Sequence, residues 1–342
     1  MTLDKRKLQV LHAIIRNYVM TGEPVGSRTI SKNYDLGVSS ATIRNEMSDL
    51  EDLGFLVQPY TSAGRIPSDQ GYRLYVNEVL PFLEQEMSEY GAMVRDINKK
   101  VNRIEELLQT TLKILSDTTN YTSIALAPQT DNTVLEKIQV VKLDRHRIMV
   151  ILVADSGAIQ NEIFRTEEEI DEDQLFIINN FLNSKLKGSR FSEVEGRIKA
   201  EDSLKHQNPM VDIILPMVKG SMKSVEDAEL YLEGIANILN FPEYSDIEKI
   251  KSFLGFMEDK NRVLKLMDGA PRGDLEVKIG SENLDEELKD CSIITAVYSI
   301  DGNTIGKIGV IGPTRMDYLR IMAIIKSVTQ ELNQIIKQYL LK

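Results

Sequence analysis

The residues that decide the fold are 22–58, which read GEPVGSRTISKNYDLGVSSATIRNEMSDLEDLGFLVQ. Two helical segments flank a turn that contains Gly37. The first is predicted over Ser27–Asn33. The second has Ser39 as a favourable N-cap and stops at Gly54. A short helix, a tight turn and a longer helix are the plan of a helix-turn-helix.

The segments on either side extend this plan. A helix is predicted over Asp4–Met20 and ends at Gly22 and Pro24. Its apolar stripe, at helical spacing, consists of Leu8, Leu11, Ile15 and Val19. After the helix-turn-helix, Phe55–Gln58 has a strand pattern and is followed by a turn and by Arg65-Ile66. A strand pair in this place adds a wing.

The second helix of the pair has two chemically different faces. Ile43, Met47 and Leu50 lie on one side, where we expect them to pack on the first helix. The opposite face is short and polar. It consists of Ala41, Arg44, Asn45 and Ser48. Such a face suits a major groove, because arginine can pair with guanine and asparagine with adenine.

A solvated helix surface is the alternative interpretation of this face. The later part of the helix is acidic and favours this interpretation, because negative charge repels DNA. Its acidic residues are Glu46, Asp49, Glu51 and Asp52. DNA binding remains compatible with the acidic residues if only the first two turns enter the groove, as is usual for helix-turn-helix docking.

Other residues of this segment are predicted to contact the DNA backbone. Free N–H groups at the start of the second helix favour phosphate, which indicates Ser39, Ser40 and Thr42. Ser27 and Arg28 open the helix that would cross the backbone. The wing offers Thr61, Ser62 and Arg65, and the arginine could reach a minor groove or a phosphate. A surface arginine beside the next helix is the alternative for Arg65.

The rest of the chain alternates between helical and strand patterns. A helical stretch over 81–116 carries a heptad seam, which could form a two-chain coil or pack on its own domain. The seam consists of Val94, Ile97, Val101, Ile104, Leu108, Thr111 and Leu115. Strands are predicted over 123–127, 134–143, 147–153, 159–165, 275–279, 293–300 and 304–311. Helices are predicted over 172–186, 212–219, 229–239, 247–266 and 317–340.

Charge and composition restrict the class of protein. The net charge is -11, yet residues 1–80 contain equal numbers of basic and acidic side chains. The acidic excess therefore lies outside the predicted DNA-binding segment, where it would limit non-specific DNA binding. There is no signal-peptide pattern and no apolar run long enough to cross a membrane. The single cysteine, Cys291, is consistent with the cytoplasm.

Nothing in the sequence points to catalysis, a cofactor or a metal. His12, His146 and His206 are scattered without ligand spacing, although a Cys–His nucleophilic pair is not excluded. The glycines at 306, 309 and 312 do not form a dinucleotide-binding pattern. We expect no catalytic residue, no cofactor and no metal ion.

Several longer motifs resemble the heat-inducible repressor HrcA family. They are Gly22–Arg28, Ala41–Met47, Thr61–Pro67, Asp69–Arg73 and Gly306–Tyr318. The resemblance implies an α+β multidomain fold with an N-terminal winged helix-turn-helix, a GAF-like α/β sheet domain and an inserted, mostly helical dimerising domain. The expected bounds are 1–82 for the winged helix, 83–116 for a linker helix, 117–187 with 271–342 for the GAF-like domain, and 188–270 for the insertion.

The resemblance also implies a function and partners. A homodimer would bind double-stranded DNA at the inverted-repeat CIRCE operator and would repress chaperone operons such as groE and dnaK. The GroEL chaperonin would keep it competent for DNA. A winged-helix repressor controlled by a metabolite in the GAF-like domain is the first alternative. An enzyme with an accessory DNA-binding module is the second.

Overall fold

A computed structural model describes residues 3–94, 104–126, 134–154, 159–167, 169–190, 193–194, 197, 214, 216–218, 230–267, 273–300 and 303–340. The chain forms two compact units. The first contains residues 1–127 and 230–342, and the second contains residues 128–229. The architecture is mixed α+β with several antiparallel sheets.

The N-terminal elements begin and end where local chemistry favours it. Helix α1 (Lys5–Thr21) starts after Asp4, whose carboxylate accepts a hydrogen bond from the Lys7 amide. It ends at Gly22, whose left-handed backbone, with φ 69°, terminates the helix. Helices α2 (Ser27–Asn33) and α3 (Ser40–Asp52), strands β1 (Leu56–Val57) and β2 (Ile66–Pro67), and helix α4 (Asp69–Val79) follow.

Two helices lead from this segment into the first sheet. They are α5 (Leu83–Val94) and α6 (Ile104–Thr119). The seam residues Leu108, Thr111 and Leu115 are buried, and α6 packs on strands of its own unit. These three seam residues therefore pack within the chain. Ile97 and Val101 lie outside the described residues.

The first unit is built on a five-stranded antiparallel sheet. Its strands are β3 (Thr122–Leu126), β7 (Leu230–Glu233), β8 (Leu275–Ile279), β9 (Cys291–Ile300) and β10 (Asn303–Pro313), in the order β7-β3-β10-β9-β8. Helix α10 (Tyr318–Leu340) packs on the sheet, and Ile308, Val310, Ile321 and Ile325 are buried in the shared core. Helices α8 (Ile247–Glu258) and α9 (Lys260–Met267) complete this unit.

The second unit has a sheet of its own. Strands β4 (Leu135–Asp144), β5 (Arg147–Ala154) and β6 (Ile159–Arg165) pair in that order, all antiparallel. Helix α7 (Glu172–Leu186) begins with a capping box between Asp171 and Gln174 and packs on β4. Its apolar side contributes Leu175, Ile178, Leu182 and Leu186 to the core of this unit.

The observed division differs from the predicted bounds of the sheet domain and the insertion. Strands β4–β6 form no pairs with the five-stranded sheet among the described residues, whereas residues 230–267 belong to the first unit. The compact insertion is therefore 128–229, against the predicted 188–270. Local strand patterns show where strands occur but carry no information about which strands pair.

One predicted helix is wrong. Residues 229–239 were expected to be helical, but Leu230–Glu233 form β7, and its Glu233 pairs with Ser123 of β3. Gly234, with φ 69°, ends the strand, and a 3-10 helix follows over Ile235–Asn240. Pairing with β3 overrides the helical spacing of the apolar residues. Within the helix predicted over 212–219, the described residues 214 and 216–218 are helical, and the other four lie outside the described residues.

Candidate nucleic-acid interface

The orientation of α3 is fixed by its apolar side. Ile43 and Leu50 are fully buried, Met47 is nearly so, and α3 packs on both α1 and α2. Ile30 of α2 is also buried in this core. The inward face predicted from the sequence is confirmed. The remaining side of α3 therefore points away from the body of the domain.

The outward side of α3 is polar and accessible. Its exposed residues are Ala41, Arg44, Asn45 and Ser48, the four that the sequence placed together. Arg44 forms no ion pair with any described residue, so its guanidinium is available to a ligand. The arrangement places one forked cationic donor beside one amide on consecutive positions. This is the chemistry that reads guanine and adenine edges in a major groove.

The N-terminal end of α3 is capped from within. The Ser39 hydroxyl accepts a hydrogen bond from the Thr42 amide at 3.2 Å and lies 3.1 Å from the Thr42 hydroxyl. Ser39 is therefore confirmed as the N-cap. The amides of Ser40 and Ala41 are left at the positive end of the helix dipole, where an anion is favoured.

The start of α2 presents a second cationic position. Gly26 is its N-cap, Ser27 is half-buried, and Arg28 in the first turn is exposed. Ser27 and Arg28 thus lie at a helix start, as expected for phosphate contacts.

The segment predicted to be a wing, from β1 to β2, differs from expectation in its arginine. Thr61 and Ser62 are exposed in the loop between β1 and β2, and Ser62 has a left-handed backbone with φ 70°. The Arg65 side chain is only 21% exposed, and its Nε and Nη2 each lie 2.7 Å from Glu51 Oε2. Arg65 links the segment between β1 and β2 to the end of α3. A direct DNA contact would require it to leave that ion pair.

Three of the four acidic residues of α3 form ion pairs with basic residues of the described chain. Lys7 Nζ lies 2.8 Å from Glu46 Oε2 and 2.9 Å from Asp49 Oδ2. Hydrogen bonds to Glu46 and to Asp49 raise the pKa of the Lys7 ammonium above its ordinary value. Together with the Arg65–Glu51 pair, these contacts reduce the negative charge of α3, whereas Asp52 stays exposed without an ion pair to any described residue.

Comparisons with known proteins give the family. The profile described as "HrcA protein C terminal domain" matches residues 105–322. A heat-inducible transcription repressor HrcA of Alkaliphilus metalliredigens is 42% identical over 339 residues, which cover 98% of this chain and 99% of the relative. One from Clostridium tetani is 41% identical over 341 residues, covering 98% and 97%.

The chain belongs to the HrcA family, whose curated members are named heat-inducible transcription repressors. A crystal structure titled as a hypothetical protein at 2.2 Å resolution shares the fold, with a TM-score of 0.66 at 23% identity over 99% of this chain and 100% of that chain. The HrcA profile begins after the N-terminal helices. The curated relatives extend the similarity over nearly the whole chain, including α1–α4.

One exposed wing residue was missed in the sequence. Tyr60 is 63% exposed beside Thr61 in the loop between β1 and β2. Its proximity to the TSAGR motif of the HrcA family was the available signal. Lys7 was also missed, because its partner Glu46 is 39 residues away in the chain.

The loop between β1 and β2 contains a glycine, Gly64, at which a side chain cannot be added without movement of its neighbours. A Cβ at Gly64 would lie 2.5 Å from backbone atoms of Val25, which exchanges two hydrogen bonds of 2.9 Å with Arg65. We expect Gly64→Ala to destabilise the N-terminal domain by about 1–3 kcal/mol, the usual cost of overpacking. Thermal unfolding would measure this loss.

Gly255 of α8 provides a control, because its replacement by alanine should change stability in the opposite direction. A Cβ there meets no atom within 4 Å, so Gly255→Ala should stabilise the chain by roughly 0.5–1 kcal/mol through helix propensity. Equal melting temperatures for the wild type and Gly64→Ala would contradict the close approach of the wing to Val25.

The cysteine is unsuited to nucleophilic chemistry. Cys291 is fully buried, and its Sγ lies 2.8 Å from the Tyr244 hydroxyl. Burial raises the pKa of the Cys291 thiol to about 12. Among the described residues, no group of three His, Cys, Asp or Glu side chains could hold a metal ion, and no helix has the length and apolar character needed to span a bilayer.

The buried thiol gives a direct prediction. At pH 8, iodoacetamide should leave the native chain unlabelled, because the thiolate is the reactive form and is disfavoured here. The same reagent should label one thiol per chain after denaturation, since the sequence has one cysteine. Rapid labelling of the native chain, followed by mass spectrometry, would show that Cys291 is accessible.

Proposed function

We propose that α1–α3 with β1 and β2 form a winged helix-turn-helix, and that the protein represses transcription by placing α3 in the major groove of operator DNA. The observation that carries this proposal is the exposed polar face of α3. Arg44 and Asn45 lie on this face, on the opposite side of the helix from its buried apolar residues. Arg44, Asn45, Ala41 and Ser48 are the proposed base-reading surface.

Backbone contacts would fix the position of this helix on the duplex. Ser40 and Thr42 at the start of α3, and Ser27 with Arg28 at the start of α2, are proposed to contact phosphates. Ser39 contributes through its cap. On the wing, Thr61 and Ser62 are the exposed residues proposed to contact the backbone, while Arg65 maintains the wing through Glu51.

Membership of the HrcA family supports a specific operator and regulator. We propose that the operator is the CIRCE inverted repeat upstream of groE and dnaK. We also propose that the protein binds this operator as a homodimer, because the two-fold symmetry of a dimer matches the symmetry of an inverted repeat. The GroEL chaperonin is proposed to maintain the DNA-competent form in the cytoplasm. Heat would divert the chaperonin to unfolded proteins and so release the operons.

The two compact units are proposed to divide the remaining tasks. The five-stranded sheet with α10 corresponds to the GAF-like domain, and the unit of residues 128–229 corresponds to the dimerising insertion. The exposed apolar side chains Ile159 and Ile163 of β6, at 65% and 56% exposure, support an association surface on the insertion.

Transcription in vitro tests the proposed function. Two templates would carry the same promoter, one with the inverted repeat and one with a scrambled repeat of equal base composition. We expect repression of the first template only, and a larger active fraction when the chaperonin is added. Equal transcription from both templates at saturating protein would overturn the repressor proposal. If repression is normal and its extent does not change when the chaperonin is added, only the proposed regulation by GroEL would be overturned.

A further inference from the structure

Arg315 joins the N-terminal segment to the sheet of the same compact unit. Its side chain is only 13% exposed. Its Nη1 donates to the Val19 carbonyl oxygen at 3.2 Å, and its Nε donates to Glu243. Its guanidinium also lies 5.6 Å from the centre of the Phe241 ring. One cation therefore contacts the end of α1 and two residues that follow β7.

The contact with Val19 supplies a hydrogen-bond donor and a positive charge at the C-terminal end of α1. The last four carbonyls of a helix have no partner within it, and cations are favoured at that end. Helix α1 has no basic residue in its last turn. Arg315, which lies 296 positions further along the chain, provides the missing donor and charge. Glu243 holds the guanidinium in place.

A second point of attachment lies at α4. Arg73 Nε donates to Glu282 Oε1 at 2.7 Å, and its Nη2 donates to the Val277 carbonyl oxygen at 2.6 Å. The Ser281 amide donates to Asp69 at 2.8 Å. With contacts at α1 and at α4, the segment α1–α4 is held at two separate places. These polar contacts add direction to the shared hydrophobic core, in which Tyr72 of α4 packs against Tyr318 with 5.5 Å between the ring centres.

We propose that Arg315 is a positioning residue for operator binding, because it fixes the direction in which α3 faces relative to the sheet domain. This inference rests on the proposed function. A dimer binds both half-sites together only if its two recognition helices match their spacing and direction. A loosened N-terminal domain would still fit one half-site, but the effective concentration for the second half-site would fall.

The test compares full operators with half-sites. Arg315→Ala should weaken binding to the inverted repeat by about 10-fold or more, with at most about a 2-fold change on a single half-site. It should also tolerate an insertion of about two base pairs between half-sites better than the wild type does. Fluorescence anisotropy on labelled duplexes gives these affinities. Sedimentation verifies that the oligomeric state is unchanged.

A matched variant controls for the loss of a paired arginine. Arg262 resembles Arg315 in its surroundings, with Glu287 at 2.6 Å, Asp285 at 2.8 Å and the Phe256 ring centre at 4.6 Å, but these partners all lie outside the N-terminal segment. Arg262→Ala should therefore keep the wild-type preference for spacing. If Arg315→Ala does not fold, Glu243→Gln carries the same test with the same expected direction.

The outcomes separate this inference from the proposed function. Equal losses on full and half-sites, or an unchanged spacing preference in a folded Arg315→Ala or Glu243→Gln variant, would overturn the positioning role. A wild-type protein that does not discriminate the inverted repeat from a scrambled duplex would instead overturn the proposed function. Loss of cooperative binding and of the spacing preference together supports the inference.

Discussion

Arg44→Ala is expected to weaken binding to the inverted-repeat operator by about 1–3 kcal/mol, which is roughly 5- to 150-fold in Kd. The reason is that Arg44 is exposed on the outer face of α3 and forms no ion pair with any described residue, so its guanidinium is free to bind a base edge. Binding to a scrambled duplex should change far less, because a base contact carries sequence information. Competition gel shifts with both duplexes measure the difference.

Two further variants make this prediction specific. Arg28→Ala should weaken binding to both duplexes by a similar factor, as expected for a phosphate contact, and should reduce the salt dependence of binding. Lys260→Ala removes an equal charge from an exposed position in α9, outside the proposed DNA-binding and dimerising segments, and should leave both affinities unchanged. An Arg44→Ala variant that loses equal affinity for both duplexes would reassign Arg44 to the phosphate backbone.

Leu50→Ala is expected to cost about 2–5 kcal/mol of local stability in the N-terminal domain, the usual range for a large-to-small change in a packed core. Leu50 is fully buried on the inner face of α3. The loss should appear as faster hydrogen exchange in peptides from α1 and α3, because these helices share one core. The apparent affinity for the operator should fall in proportion to the fraction of molecules in which this segment is folded.

Met20→Ala is the control for this change. Met20 is 81% exposed at the end of α1, so its truncation should alter stability by less than about 0.5 kcal/mol. Similar exchange rates in Leu50→Ala and Met20→Ala would contradict the claim that α3 is held by its apolar face.

The parts of the interface with strong local signals could be predicted from the sequence. Helix α2 has the predicted bounds, Ser39 caps α3, and Gly22 ends α1. Each depends on residues within one helical turn, where capping and glycine geometry dominate. The two faces of α3 followed from helical periodicity alone.

The parts that depend on distant residues could not be predicted. Arg65 was expected to be available to DNA, but it pairs with Glu51 from the end of α3. Similarly, β4–β6 were expected to join the sheet that contains β9 and β10, but they form a separate sheet. Spacing in the sequence shows neither the partner of a charged side chain nor the neighbour of a strand, because both are decided by the tertiary fold.

The structure shows how the charged side chains of the N-terminal segment are arranged. The N-terminal segment is neutral overall, yet its acidic residues are not distributed evenly over its surface. Lys7 pairs with Glu46 and with Asp49, which lowers the negative charge of α3, while Arg28 and Arg44 are exposed. We therefore expect any attraction to DNA to come from the local placement of charge and not from a basic N-terminal segment.

The most direct test of the central claim compares two duplexes that contain identical half-sites. In one the half-sites form the inverted repeat, and in the other they form a direct repeat of the same spacing. We expect the protein to bind the inverted repeat about 100-fold more tightly, because only that arrangement engages both α3 helices of a two-fold symmetric dimer. Equal affinity for the two duplexes would contradict a symmetric repressor that reads DNA through α3.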